Sequence, residues 1–280
     1  REMVVLGGGP IACELAQAMS ELGIRVTLVG RNKRLLPKED EAVGDAVRKA
    51  LTGSGVRVLT GAQAMTAERE GDHQRLWVQH GGESEALSFD VLLLAVGRTA
   101  RTTGYGLETL GIGTTQQGTV EVNEYLQTRY PNIYACGDVA GPYQFTHVAA
   151  HQAWYAAVNG LFGALKRFKA DYRVIPAVTF THPEVARVGL NQDEARRQGI
   201  AFEVSRFELE ELDRAITADE REGFVEVLTV PGKDTILGVT IVASHAGEML
   251  AEFTLAMRHG LGLKKILGTI HPYPTWSEAA

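Results

Sequence analysis

At 280 residues and 45% apolar content the chain is long enough for two compact domains, and no run in it approaches the roughly 18–20 apolar residues of a membrane-spanning helix. Its net charge of −6 is spread without a basic block, which excludes the electrostatic footprint of a nucleic-acid binder and leaves small molecules or protein as partners. Two cysteines, Cys13 and Cys136, each isolated among small residues, exclude a disulfide framework, a zinc quartet and a Cys-pair redox motif within the chain, and both read as reduced and buried.

Arg1 and Glu2 run straight into an apolar segment without an initiator Met, so the chain reads as a fragment or a truncation. No secretory signal pattern opens it, and a cytoplasmic location is expected. Apolar runs at 3–6, 26–29 and 91–95 predict strands, and the periodicity at 10–22 and 41–53 predicts helices. This α/β alternation implies a parallel sheet with right-handed crossovers. The polar stretch 61–90, with Leu76-Trp77-Val78 and the Gly81-Gly82 pair, predicts a hairpin or meander set into the domain. A Gly- and Thr-rich connector at 97–118 leads to short strands at 119–122 and 133–135 and an apolar helix from about Phe145 to Leu165. A basic hinge at 166–173 follows. Strands at 176–181, 201–208, 223–230 and 235–243 and a helix at 246–259 then give an antiparallel α+β pattern, read as a second domain.

Gly7-Gly8-Gly9-Pro10-Ile11-Ala12 closes a strand and opens a helix, the context that makes G-x-G-x-x-A a dinucleotide fingerprint. Gly7 makes the turn, Gly9 admits a pyrophosphate, and Ala12 allows close helix–strand packing. Pro10 suits the first helical position, where no N–H is needed, and the amides from Ile11 onward attract phosphate. The bland alternative is a glycine-rich turn in an unliganded fold. The second strand ends at Gly30, followed by Arg31-Asn32-Lys33-Arg34, where an NAD-binding chain places an acid for the ribose 2′-hydroxyl. Arg31 and Arg34 suit a 2′-phosphate instead, which favours NADP(H) over NAD(H); the alternative is an exposed basic loop. Glu14, among Ala12, Cys13, Leu15 and Ala16, needs a partner or a solvent-reached position.

Ala135-Cys136-Gly137-Asp138-Val139-Ala140-Gly141 forms a second nucleotide-type corner. Gly137 lets backbone approach a ligand and Asp138 accepts hydrogen bonds from sugar-like hydroxyls, against the plainer possibility of Asp as a helix N-cap. His147 and His151 stand at i and i+4, but no Cys or carboxylate joins them at ligand spacing, so no metal is expected. One ring meets a ligand near the helix start and the other packs, while Phe145, Trp154, Phe162 and Phe168 read as core. The tail 269–278 holds His271, Tyr273 and Glu278 among two prolines that stiffen it, either to present those side chains or to staple the second domain.

Taken in order, Gly7–Glu14, Ala95-Val96-Gly97-Arg98, Tyr134–Gly141, Phe180–Glu184 with Val188-Gly189, and Pro274–Glu278 resemble the FAD-dependent pyridine nucleotide-disulfide oxidoreductases. That family includes mercuric reductases and dihydrolipoamide dehydrogenases. The resemblance implies a Rossmann-like NAD(P) domain at 1–97, the C-terminal part of a FAD domain at 98–170 and an α+β dimerisation domain at 174–280. It implies that Gly97 and Val178 border NAD(P), with Val178 beside the nicotinamide carboxamide, and that Glu14 pairs with an upstream lysine near the flavin. Gly137 and Asp138 would meet the FAD ribityl chain, and His147 with Val148 would lie where a helix N-terminus faces the flavin's pyrimidine ring. Tyr273, His271 and Glu278 of a partner subunit would lie near the electron acceptor.

Two departures qualify the resemblance. The family's FAD fingerprint and Cys-x4-Cys pair are not among these residues, so the chain is not expected to turn over unaided. Tyr273 also stands where dihydrolipoamide dehydrogenases carry the acid–base His, and a phenol with a reference pKa near ~10 is a poor neutral-pH proton shuttle. Mercuric reductases share a Pro-Tyr-x-Thr segment there, and His271 lies two residues early. The expected function is part of a homodimeric oxidoreductase that passes hydride from NAD(P)H through flavin to a disulfide, dithiol or Hg(II)-type acceptor. The competing class is a non-catalytic module that binds NAD(P) and dimerises.

Overall fold

The computed structural model describes residues 1–71 and 73–280. They divide into two units: Arg1–Gly97 together with Pro176–Ala280, and Arg98–Ile175. In the first unit, β1 (Glu2–Leu6), β2 (Arg25–Gly30), β3 (Arg57–Thr60) and β7 (Val91–Leu94) form a parallel sheet in the order β3-β2-β1-β7. Val4 and Val5 of β1 are buried on opposite faces, as expected of a strand covered on both sides. Helix α1 (Pro10–Glu21) turns Ala12, Cys13 and Ala16 onto the sheet, and α2 (Glu41–Gly53) buries Val43, Val47 and Leu51 at i, i+4, i+8. The 61–90 stretch is the antiparallel meander β4 (Gln63–Glu70), β5 (His73–His80) and β6 (Glu83–Ser88). Its Leu76, Val78, Leu87 and Phe89 join Val4, Val29 and Leu59 in one apolar cluster.

The C-terminal part of this unit is a five-stranded antiparallel sheet, ordered β10-β11-β12-β9-β8. Its strands are β8 (Pro176–Thr179), β9 (Glu184–Gly189), β10 (Glu203–Glu208), β11 (Phe224–Thr229) and β12 (Ile236–Ala243). Helix α6 (Ala246–Arg258) buries Met249, Leu250, Phe253 and Ala256. Strands β3 and β9 and helices α4 (Gln192–Gln198), α5 (Asp213–Ala218) and α7 (Leu263–Leu267) have no counterpart in the sequence expectation; the three helices span too few turns for a 3.6-residue period to register. The loop between β2 and α2 grips α4. Asp40 accepts the Gln192 and Asp193 amides at 3.0 and 2.9 Å, Lys38 C=O accepts from Asn191 at 2.9 Å, and Arg34 pairs with Asp193 at 2.7 Å. Val185, Phe224 and Val242 share a core with Val43, Val47 and Leu51, so residues distant in sequence close a single apolar cluster.

The second unit is organised around α3 (Thr146–Phe162) and a short 3-10 turn at Gly137–Val139. The expected strands at 119–122 and 133–135 reduce to isolated bridges, Thr114 with Val120 and Gln127 with Tyr134. Their main-chain amides are satisfied by scattered backbone carbonyls instead of a ladder: Glu121 N–H donates to Gly113 C=O at 3.0 Å and Ala135 N–H to Leu126 C=O at 3.1 Å. Trp154 and Phe162 are 53% and 55% exposed rather than core, and Phe145 and Phe168 are half-buried. The buried stripe of α3 is instead Val148, Gln152 and Asn159, whose amides are needed to satisfy the surrounding loops.

Candidate functional site

The fingerprint follows directly from β1. Gly7 has φ +135, and a Cβ there would stand 2.3 Å from the Ala95 carbonyl oxygen, so only glycine passes this turn. Gly9 differs: its φ is ordinary, and a Cβ there would meet nothing within 4 Å among the described residues. It is the N-cap of α1, with Pro10 next and no side chain capping the helix. The Ile11 and Ala12 amides donate to no described protein atom, which leaves an uncapped, partially positive helix end beside open space. That arrangement fits a dinucleotide pyrophosphate.

Leu36 N–H donates to Gly8 C=O at 2.7 Å and returns the loop after β2 to the fingerprint. On that loop Arg31 is exposed and without a partner among the described residues, whereas Arg34 is held by Asp193. Gly97, past the end of β7, has φ +132 and open space where a Cβ would be. Glu14 finds its partner in the main chain: Oε1 accepts the Phe180 N–H at 2.8 Å. Phe180 follows β8, which holds Val178 half-buried opposite Ala186. Gln17, which the sequence analysis passed over, clamps His182 in the same segment. Its partner lies 165 residues away, and nothing local announces it.

In the second unit Gly137 has φ +77, and a Cβ there would press the Ala149 side chain at 3.2 Å. The corner thus lies against α3. Gln152, fully buried, spans it: Oε1 accepts the Gly137 N–H, and Nε2 donates to Gly141 C=O at 2.8 Å and to the Tyr172 hydroxyl at 2.7 Å. Burial raises the Tyr172 pKa. Asp138 is half-exposed and ion-paired with Arg98 at 3.6 Å. The α3 N-terminus has no side-chain cap, Val148 is buried, and the His147 ring stacks on Phe145 at 5.2 Å. An accessible carboxylate at a glycine corner and a helix N-terminus fit the hydroxylated chain and anionic ring edge of a flavin.

The tail places its three candidates on separate partners. His271 Nε2 lies 2.9 Å from Glu252 Oε2 of α6, with both groups largely buried. Tyr273, 70% exposed, donates to Asp213 Oδ2 at 2.9 Å, and this bond raises its pKa. Glu278 Oε2 accepts the Thr275 amide at 2.9 Å in a capping box that closes the last 3-10 turn. Asp213 and Glu252 were invisible to motif reading for the same reason as Gln17. Both cysteines are free; Cys136 is half-buried rather than buried, and burial pushes the Cys13 thiol up to about 12. No helix among the described residues is long and apolar enough to cross a membrane.

Comparison with known proteins agrees with this geometry. Residues 1–153 match the pyridine nucleotide-disulphide oxidoreductase family and residues 175–280 its dimerisation domain. A dihydrolipoyl dehydrogenase of Thermus scotoductus is 39% identical over 280 residues, covering 99% of this chain and 60% of the relative. A mercuric reductase of Staphylococcus aureus is 34% identical over 278 residues, covering 99% and 50%. The HOCl-induced flavoprotein disulfide reductase RclA from Escherichia coli superposes with a TM-score of 0.87 at 26% identity, over 99% of this chain and 62% of that one. The chain therefore spans 50 to 62% of the length of these relatives. Fold, fingerprint and both domain matches together make the chain a member of the pyridine nucleotide-disulphide oxidoreductase family.

Proposed function

We propose that this chain is the NAD(P)-binding and dimerisation portion of a FAD-dependent NAD(P)H oxidoreductase. In this reading residues 1–97 bind the dinucleotide, 98–170 contribute to a flavin site and 174–280 pair two copies. The observation that carries it is the uncapped N-terminus of α1 with open space at Gly9, at the end of the inner strand β1. Gly7, Gly9 and Pro10 shape that end, and the Ile11 and Ala12 amides hold the pyrophosphate. Gly97 and Val178 border the rest of the dinucleotide, with Val178 toward the nicotinamide. Arg31 meets a 2′-phosphate, joined by Arg34 when it leaves Asp193, and this favours NADP(H) over NAD(H).

FAD, when bound, supplies the relay that takes hydride from NAD(P)H and passes electrons to the acceptor. Asp138, at the Gly137 corner, accepts hydrogen bonds from the ribityl hydroxyls, and the helix start at His147 and Val148 stabilises negative charge on the ring. Glu14 holds Phe180 while no lysine competes for it. His271, backed by Glu252, is the tail's proton carrier; Tyr273 stays protonated at neutral pH on Asp213, and Glu278 fixes the bend that presents both. The acceptor is a disulfide, a dithiol or Hg(II).

The test uses the product of the full-length gene. It should purify yellow and oxidise NADPH with at least one of Hg(II), lipoamide and glutathione disulfide, binding NADPH more tightly than NADH. A colourless protein with no turnover on any of the three overturns the reading, and tighter NADH binding overturns the cofactor preference.

A further inference from the structure

Gln17 lies on the buried face of α1, 4% exposed, two turns beyond the uncapped N-terminus. Its carboxamide makes a two-way clamp on the main chain of one residue: Oε1 accepts the His182 N–H at 2.7 Å while Nε2 donates to the His182 C=O at 2.9 Å. The other Nε2 hydrogen reaches Ser54 Oγ at 3.2 Å, so the donors and the acceptor are all engaged. One turn earlier, Glu14 holds the Phe180 amide. Residues 180–182 continue directly from β8, the strand that carries Val178. Helix α1 thus works as a ruler. Its first amides face the phosphate end, and about 10 Å along, at 1.5 Å per residue, its side chains fix the segment beside the far end.

We infer that Gln17 is a positioning residue for the dinucleotide: through the His182 backbone it sets the distance between the pyrophosphate amides of α1 and the nicotinamide contact at Val178. This rests on the dinucleotide reading proposed above. A merely structural Gln17 would, when removed, weaken every ligand of the site equally. A positioning Gln17 would weaken only a ligand that reaches Val178, because pre-organisation at one end contributes nothing to a ligand that stops short of it.

The two cases separate by titrating the purified 280-residue chain with NADPH and with 2′-phospho-ADP-ribose, the same molecule without nicotinamide. The unaltered chain should bind NADPH more tightly. Gln17→Leu, which keeps the volume and removes the clamp, should weaken NADPH roughly tenfold, toward the value for 2′-phospho-ADP-ribose, and leave the latter within about twofold. Gln17→Met, which also removes the clamp at similar volume, should show the same ligand-selective loss, which preserves the test should the leucine variant fold poorly. His182→Ala leaves the clamped main-chain groups in place and should match the unaltered chain. Equal loss for both ligands, no loss in Gln17→Leu, or equal affinity of the unaltered chain for both overturns the inference while the dinucleotide reading stands. An unaltered chain that binds neither ligand overturns both.

Discussion

Arg187→Met isolates a buried ionic tie between the N-terminal and C-terminal segments of the first unit. Arg187 of β9 sits between two carboxylates, with Nε 2.7 Å from Glu39 Oε2 and Nη1 2.7 Å from Glu194 Oε2, and Nη1 also donates to Gly189 C=O at 2.9 Å. The three side chains are 16%, 17% and 25% exposed. Burial pushes the Glu39 carboxyl above its ordinary pKa and Arg187 opposes it; burial also works against the guanidinium, but the two carboxylates more than offset this and raise its pKa. Methionine fills most of the volume and leaves both carboxylates without their cation. Breaking a buried pair in this way costs about 3–5 kcal/mol, and partial solvent access places this one near the lower end. For domains of about 150–250 residues that is a fall in Tm of roughly 6–12 °C.

Scanning calorimetry and urea unfolding should report this loss in the transition of the unit holding 1–97 and 176–280. Its pH dependence has a definite sign. Without Arg187 the Glu39 carboxyl rises further, so the native variant keeps a proton that the unfolded chain has already lost, and stability falls with rising pH across that window. The deficit should therefore be largest well above the ordinary carboxyl range and narrow on acidification, as the raised Glu39 carboxyl is neutralised. A loss below about 1 kcal/mol at the higher pH, or a deficit that widens on acidification, would refute the reasoning and mark the cluster as solvent-screened.

The two fingerprint glycines should part company on substitution. Gly9→Ala places its methyl in open space and should change stability by less than about 0.5 kcal/mol while weakening NADPH binding at least about tenfold. Gly7→Ala meets the Ala95 carbonyl at 2.3 Å with φ +135 and should destabilise by about 1–3 kcal/mol or more; similar melting and binding in both variants would contradict this. Iodoacetamide with mass-spectrometric mapping should label Cys136 in the native chain and Cys13 only after denaturant, since burial holds the Cys13 thiol near about 12; native labelling of Cys13 first would be the contrary result. Asp213→Asn should lower the Tyr273 pKa toward the ordinary phenol value, read as the alkaline ultraviolet difference from Tyr273→Phe in each background, and an unchanged midpoint would remove Asp213 as the cause.

What was legible in the sequence was local. Gly7–Ala12 announces itself because strand, turn and helix start fall within a dozen residues, and 61–90 announces a meander because its alternation is interrupted by Gly81-Gly82. The strands at 119–122 and 133–135 were misleading because apolar content says nothing of whether a partner strand exists, and their amides go to scattered loop carbonyls and isolated bridges instead. Trp154 and Phe162 were misleading for a related reason: α3 is apolar on most of its circumference, and the face turned inward is the one whose Gln152 and Asn159 amides satisfy loop backbone.

By itself, the sequence determined the family, the α/β and α+β classes, the fingerprint and the order of the motifs, since each depends on residues adjacent along the chain. Only the tertiary structure decided which groups meet. It gave Glu14 the Phe180 amide, Gln17 the His182 main chain, Arg34 the Asp193 carboxylate and His271 the Glu252 carboxylate. Those pairings join segments 19 to 166 residues apart. No local pattern encodes them, because a buried polar group is satisfied by whatever the folded chain brings within hydrogen-bonding distance, and that follows from the packing of the sheets and helices as a whole.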